Sequence, residues 1–214
     1  MQSQQVTLPT QPIPTNAILH YEVDYTQGRH QLDFLHLIRQ GILFGMQNGV
    51  ALEEDYWSKL DGFRHQFAVD CETAIGPIDL MIAPPSHRGY HRPYVSAFKQ
   101  VYPRVCWIVF GKTAAVSADI RNMDDLRKAL KVIADNPSTT PVKAKDISRL
   151  LIADDVFATG TTAAVVVEFL QSKGMPVTTD IHIAAPLRIP ASMMKKMTDI
   201  LPGDLPSNDS GTNE

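Results

Sequence analysis

A chain of 214 residues, 44% hydrophobic and 20% charged, has the composition of a globular protein with room for one sizeable core. The formal net charge of -3 lacks the basic excess of a general nucleic-acid-binding protein, so nucleic acid is not an expected partner. Two distant cysteines, no apolar leader and no membrane-length apolar run predict a cytoplasmic protein without disulfides and without a membrane partner.

The two ends of the chain are rich in polar residues and proline. Residues 1–16 and 202–214 are therefore expected to be flexible arms. Between them we expect one domain over residues 17–201, with a helical N-terminal part at 17–77 and a core at 78–185.

In chain order, helical periodicity comes first and strand-like runs follow. Helical spacing of apolar residues predicts helices at 32–49 and 53–67. From residue 78, short apolar runs alternate with helical patterns; the predicted strands are 78–84, 104–112, 149–154 and 177–185, and the predicted helices are 123–135 and 161–173. This alternation predicts an α/β fold with a mainly parallel central sheet and helices on both faces.

The segment "LLIADDVFATGTT" at 150–162 carries the strongest chemical signal. Asp154 and Asp155 follow a buried strand, and the turn Thr159–Thr162 leads into a helix whose N-terminus favours a phosphate group. Like charges repel, so the two carboxylates suit sugar hydroxyls or a metal ion rather than that phosphate. The pattern predicts a site for a ribose 5-phosphate. The alternative is an acidic pair that only caps a helix.

This segment closely resembles the 5-phosphoribosyl 1-pyrophosphate (PRPP) binding motif of type I phosphoribosyltransferases. The resemblance implies that Asp154 and Asp155 hold the ribose hydroxyls, contribute to catalysis and bind Mg²⁺. It also implies a loop for the 5-phosphate, formed by Ala158, Thr159, Gly160, Thr161 and Thr162. Hypoxanthine-guanine enzymes of the family carry an acidic residue where this chain has Ala158, so a 6-oxopurine acceptor is disfavoured.

A second motif, "APPSHRGYHRP", follows the predicted strand at 78–84. The resemblance implies that such a loop binds pyrophosphate, here through Pro85, Ser86, His87, Arg88 and Gly89, with Arg88 catalytic and a cis bond expected near the two prolines. The alternatives are a polar surface turn and a histidine metal site, the latter without an accompanying carboxylate or cysteine.

The family resemblance implies a glycosyltransferase of nucleotide metabolism. It would use PRPP and Mg²⁺ and transfer ribose 5-phosphate to a small nucleobase-like acceptor, with release of pyrophosphate. A non-catalytic PRPP or nucleotide sensor on the same fold is the alternative, and hydrolysis or phosphoryl transfer on a sugar phosphate is a third. The mobile loop and the base-recognition hood of the family have no counterpart that the sequence identifies. A homodimer is one option for the oligomeric state.

Overall fold

A seven-stranded sheet forms the centre of the computed structural model, which describes residues 1–24, 54–85, 92–112, 123–135 and 142–189. The strands of this sheet are β1 (Gln2–Leu8), β2 (Thr15–Tyr21), β4 (Leu80–Ala83), β5 (Cys106–Lys112), β6 (Leu130–Asp135), β7 (Arg149–Ala153) and β9 (Asp180–Ala184). A second sheet has three short strands, β3 (Val23–Asp24), β8 (Val156–Phe157) and β10 (Leu187–Arg188). The helices are α1 (Glu54–Ile75), α2 (Arg92–Val101), α3 (Met123–Ala129) and α4 (Thr161–Ser172), with a short 3-10 helix at Ala144–Asp146.

The large sheet is mainly parallel, as the sequence predicts. Its strand order is β1-β2-β9-β7-β4-β5-β6, and the five strands from β2 to β5 run parallel. The edge strands β1 and β6 are antiparallel to their neighbours. The four strands predicted from uncharged runs are confirmed as β4, β5, β7 and β9, four adjacent strands of this sheet. Uncharged runs are typical of strands that are covered on both faces.

Helices cover both faces of the sheet. On strand β7, Ile152 packs with Val166 and Val167 of α4 in one buried cluster. The preceding residue of the strand, Leu151, belongs to a second buried cluster, which includes residues of helices α1 and α2. Since neighbouring strand residues point to opposite faces, the two clusters are the two halves of the core. The fold is therefore α/β, with β7 at its centre.

The N-terminal segment corrects two expectations. Instead of a loose arm over residues 1–16, β1 pairs with β2 along its whole length, from Gln2 opposite Tyr21 to Leu8 opposite Thr15. The part expected to be helical, 17–77, also contains most of β2, which joins the parallel sheet beside β9. Most residues of β1 are exposed, so this edge strand is held by its backbone ladder and gives little hydrophobic signal.

The helix predicted at 123–135 ends at Ala129, and the second half of that segment is strand β6. Acidic residues early and basic residues later favour a helix, but Val132 and Ile133 are β-branched and suit a strand. As strand β6, the segment pairs with the backbone N–H and C=O groups of β5, which would otherwise lie at an open edge of the sheet. Tertiary context therefore overrides the helical pattern.

Helix α1 confirms the helix predicted at 53–67 and extends it to Ile75. The extension is explained by Ala68, Cys71 and Ile75, which continue the buried face of the helix. The helix predicted at 32–49 and the C-terminal tail at 202–214 lie outside the described residues. Within the described ranges, no helix combines the length and apolarity that crossing a membrane requires.

A chain of hydrogen bonds links four strands on the α1 face of the sheet. Ser3 Oγ lies 2.9 Å from His20 Nδ1, His20 Nε2 lies 2.9 Å from His182 Nδ1, and His182 Nε2 lies 3.0 Å from Asp180 Oδ2. Arg149 donates to the same carboxylate. If His182 donates to Asp180, His182 Nδ1 accepts from His20, and His20 Nδ1 accepts from the Ser3 hydroxyl. This assignment of donors and acceptors satisfies every bond in the chain.

Acid should therefore weaken the fold through His20. Burial, followed by the neighbouring His182, lowers the pKa of His20 from 6.5 to about 4. Between these two values the unfolded chain binds the proton more readily, so stability falls as the pH drops from about 6.5 towards 4. The loss is the difference in the free energy of unfolding between pH 7 and pH 5, measured with urea. We expect this difference to be smaller in His20→Gln than in wild type by about 1–2 kcal/mol.

The matched control for this experiment is His65→Gln, because His65 lies exposed on α1. It should leave the pH profile of the wild type unchanged. An equal loss of stability on acidification in wild type and His20→Gln would show that the buried pair does not govern the acid response.

Candidate functional site

Three adjacent strands of the large sheet, β2, β9 and β7, are each followed after a short break by a strand of the small sheet, beyond the carboxyl ends of the parallel strands. Strand β3 follows β2, β8 follows β7 and β10 follows β9, so the small sheet keeps the order β3-β10-β8. Hydrogen bonds hold the breaks in register, including Asp154 N to Ala184 O at 2.9 Å and Glu22 N to Pro186 O at 3.1 Å. In a continuous strand, side chains point alternately to the two faces of the sheet. A break in the strand changes the direction of the side chains beside it.

Asp154 and Asp155 occupy the break between β7 and β8. They follow the carboxyl end of the central strand of a parallel sheet, where ligands bind in α/β folds, as the sequence predicts. Both are half-buried, and the Asp155 backbone N–H donates to Asp154 Oδ1 at 2.9 Å. The backbone thus fixes one carboxylate, and both remain accessible to a ligand.

The turn that follows is built around Gly160, the residue before α4. Its φ of 73° is left-handed, which costs any other L-residue conformational energy. A Cβ at this position would also lie 2.9 Å from Leu8 Cδ2 and 3.2 Å from Phe157 Cζ. Gly160 is therefore required both by the backbone and by packing against β1 and β8. The turn is held in place before any ligand binds.

Hydroxyl and amide donors surround the N-terminus of α4. Thr159 Oγ1 lies 2.8 Å from Thr161 Oγ1 and accepts from the Thr161 backbone N–H at 3.4 Å, whereas Gly160, the residue before the helix, has no side chain to cap it. The first-turn amides of a helix have no intrahelical acceptor, and this first turn contains no acidic residue. Thr159 is exposed and Thr162 half-buried, and with Ala158 they complete the turn. The turn has the donors and the partial positive charge that a phosphate group needs.

The acidic pair also bears on metal binding. In the part of the chain that the structure describes, no group of three or more His, Cys, Asp or Glu side chains is gathered as a metal site. Two hard carboxylates beside a phosphate-binding turn nevertheless fit Mg²⁺, which usually keeps several waters and shares the phosphates of its substrate. Asp154 and Asp155 are the described residues that would hold such an ion.

The second motif is only partly visible. Pro84 and Pro85 follow the carboxyl end of β4, next to β7, and both are buried. The predicted residues Ser86, His87, Arg88 and Gly89 lie outside the described residues. The cis bond expected near the prolines is not found at Pro84–Pro85, since the cis bond of the described residues joins Gln11 to Pro12.

One ion pair beside the acidic break was not predicted. Arg188 of β10 donates to Asp24 of β3 at 2.7 Å, and its guanidinium carbon lies 5.7 Å from the centre of the Tyr21 ring. The small sheet thereby carries a fixed cation one strand away from Phe157. Two-residue strands leave no periodicity in a sequence, so no signal marked this pair.

Comparisons with known proteins found similarity only to solved structures. No protein-family model matches the chain, and no curated protein matches it either. A hypoxanthine phosphoribosyltransferase from Staphylococcus aureus, in a tetragonal crystal form, is similar with a TM-score of 0.39 and 13% identity. This similarity covers 61% of this chain and 64% of that chain.

Two further solved structures are similar. The orthorhombic form of the S. aureus enzyme gives a TM-score of 0.35 and 11% identity, over 61% of this chain and 62% of that chain. A purine phosphoribosyltransferase from Pyrococcus horikoshii Ot3 gives a TM-score of 0.35 and 17% identity, over 63% of this chain and 90% of that chain. This chain spans less than two thirds of the length of either S. aureus structure.

Proposed function

We propose that this protein is a cytoplasmic phosphoribosyltransferase that uses PRPP and Mg²⁺. The observation that carries the proposal is the adjacency of Asp154, Asp155 and the Thr159–Thr162 turn at the carboxyl end of the central strand. A phosphate-binding turn beside a pair of hydroxyl acceptors matches the two ends of a ribose 5-phosphate. The sequence resemblance of this segment to the PRPP motif supports the same ligand.

The residues of the chain would act mainly by positioning. The amides and hydroxyls of the turn would bind the 5-phosphate, and the carboxylates of Asp154 and Asp155 would accept hydrogen bonds from the ribose hydroxyls. The bond from C1 to the pyrophosphate oxygen breaks and the pyrophosphate leaves with the electron pair. The acceptor nitrogen bonds to C1 and gives up its proton to solvent or to the departing pyrophosphate. Holding the reacting groups in place lowers the barrier without a protein nucleophile.

Mg²⁺ would be held by Asp154 and Asp155 together with the substrate, and would supply neutralisation of the negative charge on the departing pyrophosphate. Besides accepting hydrogen bonds from the ribose hydroxyls, the carboxylates would then have a second role, because their charge would hold the cation. The loop predicted for pyrophosphate, Pro85–Gly89, would receive the leaving group after β4, the strand adjacent to β7.

The acceptor is a nucleobase-like small molecule other than a 6-oxopurine. The turn has Ala158 where a carboxylate would act on a 6-oxopurine in the resembling enzymes. The test is pyrophosphate release from PRPP and Mg²⁺ with adenine, uracil, hypoxanthine and guanine supplied separately. We expect release with adenine, uracil or a related base and none with hypoxanthine or guanine. A protein that neither binds PRPP nor releases pyrophosphate would rule out the proposal.

The sensor alternative is separated from the enzyme by Arg88→Ala. Only binding that strengthens in the transition state accelerates a reaction, so an enzyme should lose turnover far more than PRPP affinity in this variant. A sensor has no turnover, and the variant should only weaken PRPP binding. The measurements are pyrophosphate release and PRPP titration of both proteins. Tight PRPP binding without release for any acceptor would favour the sensor.

A basic surface for nucleic acid gains no support as a third role. A basic face would be formed by Arg88, Arg92, Lys99 and Arg104, and of these Lys99 lies with its Nζ 3.2 Å from the centre of the Trp107 ring, where burial lowers the pKa of its amine. This cation is engaged with an aromatic ring of the same chain. Nucleic-acid binding is therefore not part of the proposal.

A further inference from the structure

A buried arginine on α1 has donors without acceptors. The Arg64 side chain is only 5% exposed, and Nη1 donates to Asp61 Oδ1 at 2.7 Å. Its Nε and Nη2 atoms are buried and have no hydrogen-bond partner in the part of the chain that the structure describes. Asp61 is 72% exposed, so its charge is largely solvated and compensates the buried guanidinium poorly. A buried cation that is only partly compensated is costly and is expected where a further counter-ion enters.

The two unpaired atoms lie on one edge of the guanidinium. Nε and Nη2 point in the same direction and form the fork that binds two oxygens of a carboxylate or phosphate. Nη1, which is on the other side, is the atom already used by Asp61. The edge without a partner is thus the one whose geometry suits an oxyanion.

This guanidinium lies at the start of α2. Its central carbon is 5.5 Å from the centre of the Tyr94 ring, and Tyr94 is buried in the first turn of that helix. One turn further along both helices, Phe67 meets Phe98 with ring centres 6.1 Å apart. The two helices therefore run side by side in the same direction, and both begin near the carboxyl edge of the sheet. An oxyanion on Arg64 would also experience the partial positive charge of the α2 N-terminus.

We propose that Arg64, at the first turn of α2, binds an oxyanion of the phosphate class. This site is on the α1–α2 face of the sheet, whereas the Thr159–Thr162 turn begins α4 on the other face. The anion is either free inorganic phosphate or pyrophosphate, or a phosphate group of the substrate. Only the second source rests on the proposed function, and the site itself does not depend on it.

The test is thermal unfolding of the full chain in a titration with inorganic pyrophosphate. Wild type should melt at higher temperature as pyrophosphate is added, because a ligand of the folded state stabilises it. Arg64→Met removes the donors at similar volume, and Arg64→Lys keeps the charge but not the fork; we expect apparent affinity to fall by roughly tenfold or more in both. The control is Arg127→Met, since Arg127 already donates to Glu168 and Asp124, and it should keep the wild-type response.

Stability without anion provides a second, independent readout. Arg64→Met should then be as stable as wild type or more stable, because it removes a buried charge that the exposed Asp61 compensates only in part, together with two buried donors that have no acceptor. A marked loss of stability, or failure of this variant to fold, would mean that the chain itself satisfies the guanidinium, and would overturn the proposal. A wild type that does not respond to pyrophosphate, or an Arg64→Met variant that responds fully, would overturn it as well.

Two additional titrations separate this site from the proposed function. Replacing Asp154 and Asp155 with Asn should leave the pyrophosphate response of Arg64 intact, even if PRPP binding is lost. A parallel loss of PRPP affinity in Arg64→Met would identify the anion with the substrate. A loss of the pyrophosphate response alone would identify it with a free ion.

Discussion

Replacing Asp154 and Asp155 together with Asn should weaken PRPP binding by at least about tenfold. Each carboxylate is expected to accept charge-assisted hydrogen bonds from ribose hydroxyls, worth about 1.5–3 kcal/mol each. Asn keeps the shape, and its amide oxygen can still accept the bond from the Asp155 backbone N–H. The fold should therefore persist. Calorimetric titration with PRPP measures the effect, and circular dichroism checks the fold.

The chain offers a matched control for this experiment. Asp124 and Asp125 are another adjacent pair, exposed in the first turn of α3. Replacing both with Asn changes the net charge by the same amount and should leave PRPP affinity unchanged. If the two double variants bind PRPP equally well, the acidic break after β7 does not hold the ligand.

Gly160→Ala should destabilise the fold by about 2–4 kcal/mol and also weaken PRPP binding. The left-handed backbone contributes part of this cost. The remainder comes from the contact of the new Cβ with Leu8 and Phe157, because Leu8 is fully buried and cannot move aside. A displaced turn would no longer direct its amides at the phosphate. Urea unfolding and PRPP titration measure the two effects.

Gly174→Ala separates the two contributions. Gly174 also has a positive φ, 99°, but nothing lies within 4 Å of a Cβ built there. This variant should lose about 1 kcal/mol from the backbone alone and keep its PRPP affinity. A Gly160→Ala variant no less stable than Gly174→Ala would show that packing against β1 does not fix the turn.

The parts of the fold that sequence could predict are those that bury side chains on both faces. Strands β4, β5, β7 and β9 contain uncharged runs because helices cover both sides of the sheet. Strand β1 was missed because most of its residues are exposed and its ladder to β2 needs no apolar pattern. Strand β6 was assigned to a helix, since local charge placement could not reveal the open edge of β5.

The candidate site was predictable to a similar degree. The position of Asp154 and Asp155 could be predicted because a charged pair that directly follows a buried strand in the sequence must lie at the carboxyl end of that strand. The packing of Gly160 against Leu8 joins residues far apart in sequence, so the sequence alone does not reveal it. Arg64 lies within "DGFRHQF", where nothing distinguishes a buried arginine from an exposed one. Burial of a charge is a property of tertiary packing.

The most direct measurement is a crystal structure of the protein with ribose 5-phosphate and Mg²⁺. Our account predicts that the phosphate lies against the amides and hydroxyls of the Thr159–Thr162 turn. It also predicts that the ribose hydroxyls contact Asp154 and Asp155. A ribose 5-phosphate bound elsewhere, or bound with its phosphate away from the start of α4, would contradict the account.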